Sequence, residues 1–99
     1  MVALAERGLW LGPESRAAHR RDLATFVERA VRLDAAAVIR LRARSGGLLR
    51  AWVATGFDVL ASRVVAGIMR PPDLSAGADE LARGLSAMDR SGYVNPGFP

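Results

Sequence analysis

The strongest constraint on this chain is a period of two that a glycine turn interrupts. Val38-Ile39-Arg40-Leu41-Arg42-Ala43-Arg44 alternates apolar and charged residues, Ser45-Gly46-Gly47 follows, and Leu48-Leu49-Arg50-Ala51-Trp52-Val53-Ala54 resumes an extended run. Such alternation, bounded by glycines, marks a strand–turn–strand unit. A three-residue loop at 45–47 sets Arg44 opposite Leu48, Arg42 opposite Arg50, Leu41 opposite Ala51, Arg40 opposite Trp52 and Ile39 opposite Val53. This register gathers Ile39, Leu41, Ala43, Leu49, Ala51 and Val53 on one face. A two-residue Gly-Gly loop would mix core with charge, because a slip of one residue turns every side chain to the other face. Gly47 is expected in the left-handed position of a bulge turn.

Thr55-Gly56 reads as a two-residue turn into a third strand over about residues 57–68. Trp52 then faces Val59 and Arg50 faces Ala61, while Leu60, Ser62, Val64, Ala66 and Ile68 join the apolar face. The opposite face carries Arg40, Arg42, Arg44, Arg50, Trp52, Val59, Ala61, Arg63 and Val65. It is expected to hold five arginines and no carboxylate.

The flanking segments complete the outline. Residues 1–11 could form one edge strand or a small hairpin around Glu6-Arg7-Gly8; a strand is expected, with Trp10 anchoring it on the core. Gly12-Pro13 opens a helix, since proline is tolerated in the first turn. That helix runs to about Leu33, with Leu23, Phe26, Val27, Ala30 and Val31 as its apolar stripe. Arg70-Pro71-Pro72 stops the sheet, because proline lacks the amide a ladder needs. Asp73 or Ser75 can cap a second helix over about residues 75–89. Its stripe is Ala78, Leu81, Ala82, Leu85 and Met88, and Gly77 and Gly84 each weaken it by about 0.5–1 kcal/mol. Residues 91–99 have the composition of a linker, with two aromatics. The expected order is β–α–β–β–β–α, an α+β two-layer sandwich. It has a three- to four-stranded antiparallel sheet and two helices on one face. Residues 1–90 form the domain and 91–99 a tail or linker.

Length and composition narrow the function. Ninety-nine residues make one domain with a single core. All 14 basic residues are arginine, and the net charge of +4 is moderate for a nucleic-acid binder. The absence of cysteine removes disulfides, a thiol nucleophile and thiolate zinc sites. No secretory pattern opens the chain, and no apolar run approaches about 18 residues. A soluble cytoplasmic protein without membrane contact is expected.

Residues 22–43, DLATFVERAVRLDAAAVIRLRA, resemble the opening of an uncharacterised family of actinobacterial proteins. LRAWVATGFDVLASRVVAGI and PPDLSAGADELARGL continue the likeness, which covers roughly residues 22–85. It implies an α+β domain of unknown function, with no catalytic residues to carry over. Members of that family run longer, with a second domain after this one, so a fragment or a short relative is expected.

The arginine face is the functional lead. A like-charged cross-strand pair such as Arg42 and Arg50 costs up to about 1 kcal/mol when uncompensated. A bound anion, a phosphate backbone or a partner's carboxylates would remove that cost. Trp52 can stack on a base, as sheet-borne aromatics do in RNA-binding modules, or lie under Arg40 as a cation–π pair. Val59, Ala61 and Val65 beside Trp52 favour a protein interface over nucleic acid.

Other chemistry finds little footing. His19, the sole histidine, is expected in a structural or surface role, since no second nitrogen or sulfur ligand can join it. Asp34, Asp58, Asp73 and Asp89 fall at element ends, where turns and caps explain them. No G-x-S-x-G, G-x-G-x-x-G or G-x-x-x-x-G-K motif occurs. The first helix is arginine-rich, but its apolar stripe is needed by the sheet rather than by a membrane. The expected function is a protein–protein interaction or assembly module, with a homodimer or another protein as partner. The alternative is weak nucleic-acid or polyanion binding through the same face. No enzyme, cofactor or metal is expected.

Overall fold

A computed structural model describes residues 7–12, 17–54, 60–89 and 91–97. Its elements run β1 (Gly8–Trp10), α1 (Ala17–Leu33), β2 (Val38–Arg44), β3 (Leu48–Ala54), β4 (Leu60–Ala66), β5 (Ile68–Arg70), β6 (Asp73–Gly77), α2 (Ala78–Ser86) and β7 (Tyr93–Val94). Two antiparallel sheets result, one of four strands in the order β4-β3-β2-β6 and one of three in the order β5-β1-β7. The fold is α+β, as the alternation and the helical stripes require.

The β2–β3 hairpin has the register expected from its pattern. Arg40 faces Trp52, Leu41 faces Ala51, Arg42 faces Arg50 and Arg44 faces Leu48. Gly46 and Gly47 turn the chain with φ of 81° and 72°, values an L side chain seldom adopts. Ile39, Leu41, Leu49 and Ala51 are fully buried on one face.

Both helices cover that face. Leu23, Phe26, Val27 and Ala30 recur at i, i+3, i+4 and i+7, and all four are buried from α1. Asp34 ends the helix with a local turn. Its Oδ1 accepts from the Ala36 amide (2.9 Å) and its carbonyl from the Ala37 amide (2.9 Å), which starts β2. Leu81 and Leu85 of α2 enter the same core, with Ala78 at its first position. Burying each leucine contributes roughly 1.5–3 kcal/mol.

Several parts of the outline differ. The β3–β4 register is displaced, so Trp52 faces Ser62, Arg50 faces Val64 and Leu49 faces Val65. The expected Trp52–Val59 and Arg50–Ala61 pairs are three residues away from this. A displacement by an odd number exchanges the faces. Residues 55–59, which hold the expected Thr55-Gly56 turn, lie outside the described residues.

The expected long third strand is also two strands in different sheets. Gly67 is the seam. A Cβ there would stand 2.9 Å from Leu49 Cδ1, 3.0 Å from Leu11 Cδ2 and 3.2 Å from the Trp10 carbonyl, so only glycine lets the small sheet close on the large one. Its amide donates to the Gly47 carbonyl (2.9 Å) as the chain crosses. Ile68 accordingly lies exposed on β5, away from the apolar face.

Past Pro71-Pro72 the chain forms another strand where a helix was expected. β6 pairs with β2 along its length, Leu74 and Ala76 turn inward, and α2 starts at Ala78. Asp73 and Ser75 are good caps by residue type, but the register with β2 takes them first.

The three-stranded sheet adds Leu9, Met69 and Val94 to the same core, and Leu11 follows from just beyond β1. β1 is the central strand of this sheet and not an edge, and Trp10 is not an anchor. It is 39% exposed and packs on Tyr93, ring centroids 5.1 Å apart, while its neighbours Leu9 and Leu11 go inward. Tyr93 and Val94 pair with Trp10 and Leu9, and Val94 is buried. His19 is structural in its contact: Nδ1 accepts from the Ala66 amide at 3.0 Å, tying α1 to the end of β4.

Candidate interaction face

The face of the large sheet turned away from the helices is built by the alternation itself. Every second residue of β2 points there, which brings out Arg40, Arg42 and Arg44; β3 adds Arg50 and Trp52. The expected facing of Arg42 and Arg50 is present. The guanidinium of Arg40 lies over the Trp52 ring at 5.6 Å and that of Arg50 at 6.0 Å. The indole therefore serves as a platform that holds two cations in place.

Arg42, Arg44, Arg50, Trp52 and Ser62 line an open cavity of about 550 Å³. That size falls within the roughly 300–1,000 Å³ common for ligand pockets. Its floor is a sheet and its walls are long cationic side chains.

Three residues of the expected face, Arg63, Val65 and Ala61, lie elsewhere. Arg63 is on the helix side, where its Nε meets Asp22 Oδ1 of α1 at 3.3 Å and its guanidinium lies over Phe26 at 5.7 Å. β4 is an edge strand, so a long side chain on its inner face can pass the helix and reach water. Val65 is 1% exposed in the core. The displaced register moves both, and it also removes Ala61 from beside Trp52. Val59 lies outside the described residues. Ser62 and Val64 take the vacated places on the open face.

A carboxylate was not expected on this face, yet Asp73 stands there. Its Oδ2 is 3.1 Å from Arg40 Nη2 and 3.4 Å from Arg42 Nη2, and its Oδ1 accepts from Arg40 Nε at 3.3 Å. The hydrogen bond from Arg40 holds the Asp73 carboxyl below the ordinary carboxylate range, aided by the positive charges of Arg40 and Arg42. The same contact raises the Arg40 guanidinium above its already high value. Asp73 escapes a reading of residues alone because it follows two prolines. The alternation of Leu74 and Ala76 is the one signal that could have put it on a strand.

The charge on the face is thus lopsided. Asp73 neutralises the β6 side, and among the described residues no ion pair reaches Arg44 or Arg50. No three His, Cys, Asp or Glu side chains gather as metal ligands among the described residues, and no described helix is long and apolar enough to cross a membrane.

The fold is similar to part of a solved sliding clamp, the DnaN DNA polymerase III subunit beta from Bartonella birtlesii, crystallised with griselimycin. The TM-score is 0.61 at 13% identity, covering 94% of this chain and 23% of the clamp chain. The present chain therefore spans about a quarter of that protein's length. No curated protein matches the sequence. Residues 4–99 match the family described as Domain of unknown function (DUF8010), and the chain belongs to it.

Proposed function

We propose that this domain is a cytoplasmic interaction module and not a catalyst, and that its open sheet face docks an acidic segment of a partner protein. The observation that carries this reading is the side of the face where, among the described residues, no carboxylate meets the arginines. Arg50 and Arg44 flank a cavity and Asp73 serves only Arg40 and Arg42. Carboxylates from a partner would relieve the facing Arg42 and Arg50 and form charge-assisted bonds with them.

Nucleic acid is the second reading, since Ser62 now replaces an apolar neighbour of Trp52. It is disfavoured by the same indole. Arg40 and Arg50 already lie over the ring, so a base must displace a guanidinium before it can stack.

A Trp10→Phe variant leaves Trp52 as the single tryptophan, so its emission reports on the face. Titration with poly-glutamate at low salt is expected to change that emission saturably, with the affinity falling as salt rises. Arg42→Ala/Arg50→Ala, shown folded by circular dichroism, is expected to lose the response. If poly-glutamate leaves the emission unchanged at low salt, the docking reading fails. A single-stranded oligonucleotide that binds where poly-glutamate does not would establish the second reading instead.

A further inference from the structure

We infer that the segment recognised by this face is extended, with acidic side chains at alternate positions, and comes from outside the 99 residues of this domain. The inference rests on the reading of the open face as a docking surface and specifies its partner.

Spacing carries the argument. Arg42 and Arg44 leave β2 on the same face, two residues apart, which along a strand is about 6.6–6.8 Å. An extended segment lying along β2 repeats the same distance between its own residues i and i+2, and both of their side chains point the same way. One acid then meets Arg42 and Arg50, which face each other, and the next meets Arg44.

The face already displays this chemistry once. Asp73, on a neighbouring strand, meets the Arg40 guanidinium through both of its oxygens and shares one of them with Arg42. A partner's acids would continue that row from Arg42 across the cavity. The cavity, about 550 Å³, has room for two side chains rather than a single small ion. A helix is a poor occupant, because packing one on a sheet calls for an apolar stripe and the lining here is three guanidiniums, a hydroxyl and one indole.

This chain holds no suitable segment. Its ten acidic residues include the adjacent pair Asp79-Glu80 but no two at positions i and i+2. A second copy of this domain therefore does not supply the motif.

The test uses the full chain in the Trp10→Phe background and short capped peptides that each carry two glutamates. The glutamates stand at i,i+1, at i,i+2, or at i,i+4 in an alanine-rich helical host. Two further peptides carry a single glutamate and a single phosphoserine. The i,i+2 peptide is expected to bind about ten-fold tighter than the i,i+1 peptide, and Arg44→Ala is expected to erase that preference. The same variant should leave a peptide with one glutamate unaffected, which separates loss of the second contact from a damaged fold. Equal binding of the glutamate peptides overturns the spacing while leaving the docking reading intact. Tighter binding of the i,i+4 peptide or of the phosphoserine peptide overturns it in favour of a helix or of a single dianion. Silence of every peptide, with poly-glutamate silent too, removes the docking reading and this inference together.

Discussion

The two faces of the four-stranded sheet are made by alternate residues of the same strands, yet they differ in what holds them. Beneath the helices, Ile39, Leu41, Leu49, Ala51, Leu74 and Ala76 are at most 4% exposed and stabilised by exclusion of water. On the open side, Arg40, Arg42, Arg44 and Arg50 stand in solvent; among the described residues Asp73 meets Arg40 and Arg42, and the Trp52 indole lies against Arg40 and Arg50. Exposed ion pairs contribute little, commonly 0–1 kcal/mol. One face therefore carries the stability, and the other is free to carry recognition.

The largest effect expected to test this contrast is Leu41→Ala. Leu41 is fully buried, and the cavity left behind should lower unfolding free energy by about 2–5 kcal/mol in urea titration. Next comes Gly67→Val, which tests the seam between the sheets. Overpacking against Leu49, Leu11 and the Trp10 carbonyl should cost about 1–3 kcal/mol by the same measurement. A neutral result would mean that the sheets can part there without loss.

Arg50→Thr belongs to the other face. It removes both the Arg42 repulsion and the contact with Trp52, so stability should move by no more than about 0.5 kcal/mol. A loss as large as that of Leu41→Ala would erase the distinction between the faces.

The smallest effect is pH-dependent and concerns Asp73. Because Arg40 holds its carboxyl below the ordinary range, ionised Asp73 adds stability above its unfolded value of about 3.9. That contribution is lost as pH falls through the lower folded value. The urea midpoints of the parent and of Asp73→Asn should thus differ by a constant amount from neutral pH to about pH 5 and converge below about pH 4. A gap that persists undiminished at pH 3 would show that the contact is not ionic.

How much of this was legible in the residues depends on how tightly each turn was specified. The β2–β3 register could be read because only a three-residue loop keeps Leu41 with Ala51 and Arg40 with Trp52. The β3–β4 register could not. Residues 60–68 alternate poorly, and the expected two-residue turn placed Arg63 among the other arginines, a grouping that charge alone favours. Its true neighbours, Asp22 and Phe26, belong to a helix forty residues earlier. The four arginines and the tryptophan of β2 and β3 were therefore found, while Ser62, Val64 and Asp73 were missed. Each missed residue lies beyond a turn or a proline pair whose geometry only tertiary packing decides.

The small sheet has a consequence for how the fold is reached. Leu9 lies between Met69 and Val94, partners from distant parts of the sequence. The β2–β3–β4 meander, by contrast, joins strands that follow one another. Contacts between distant positions close slowly, since a long loop must be ordered before any contact rewards it. The meander can form while a nascent chain is still short, and the small sheet must wait until residue 94 has emerged. Until then, Leu9 and Met69 have no complete shelter.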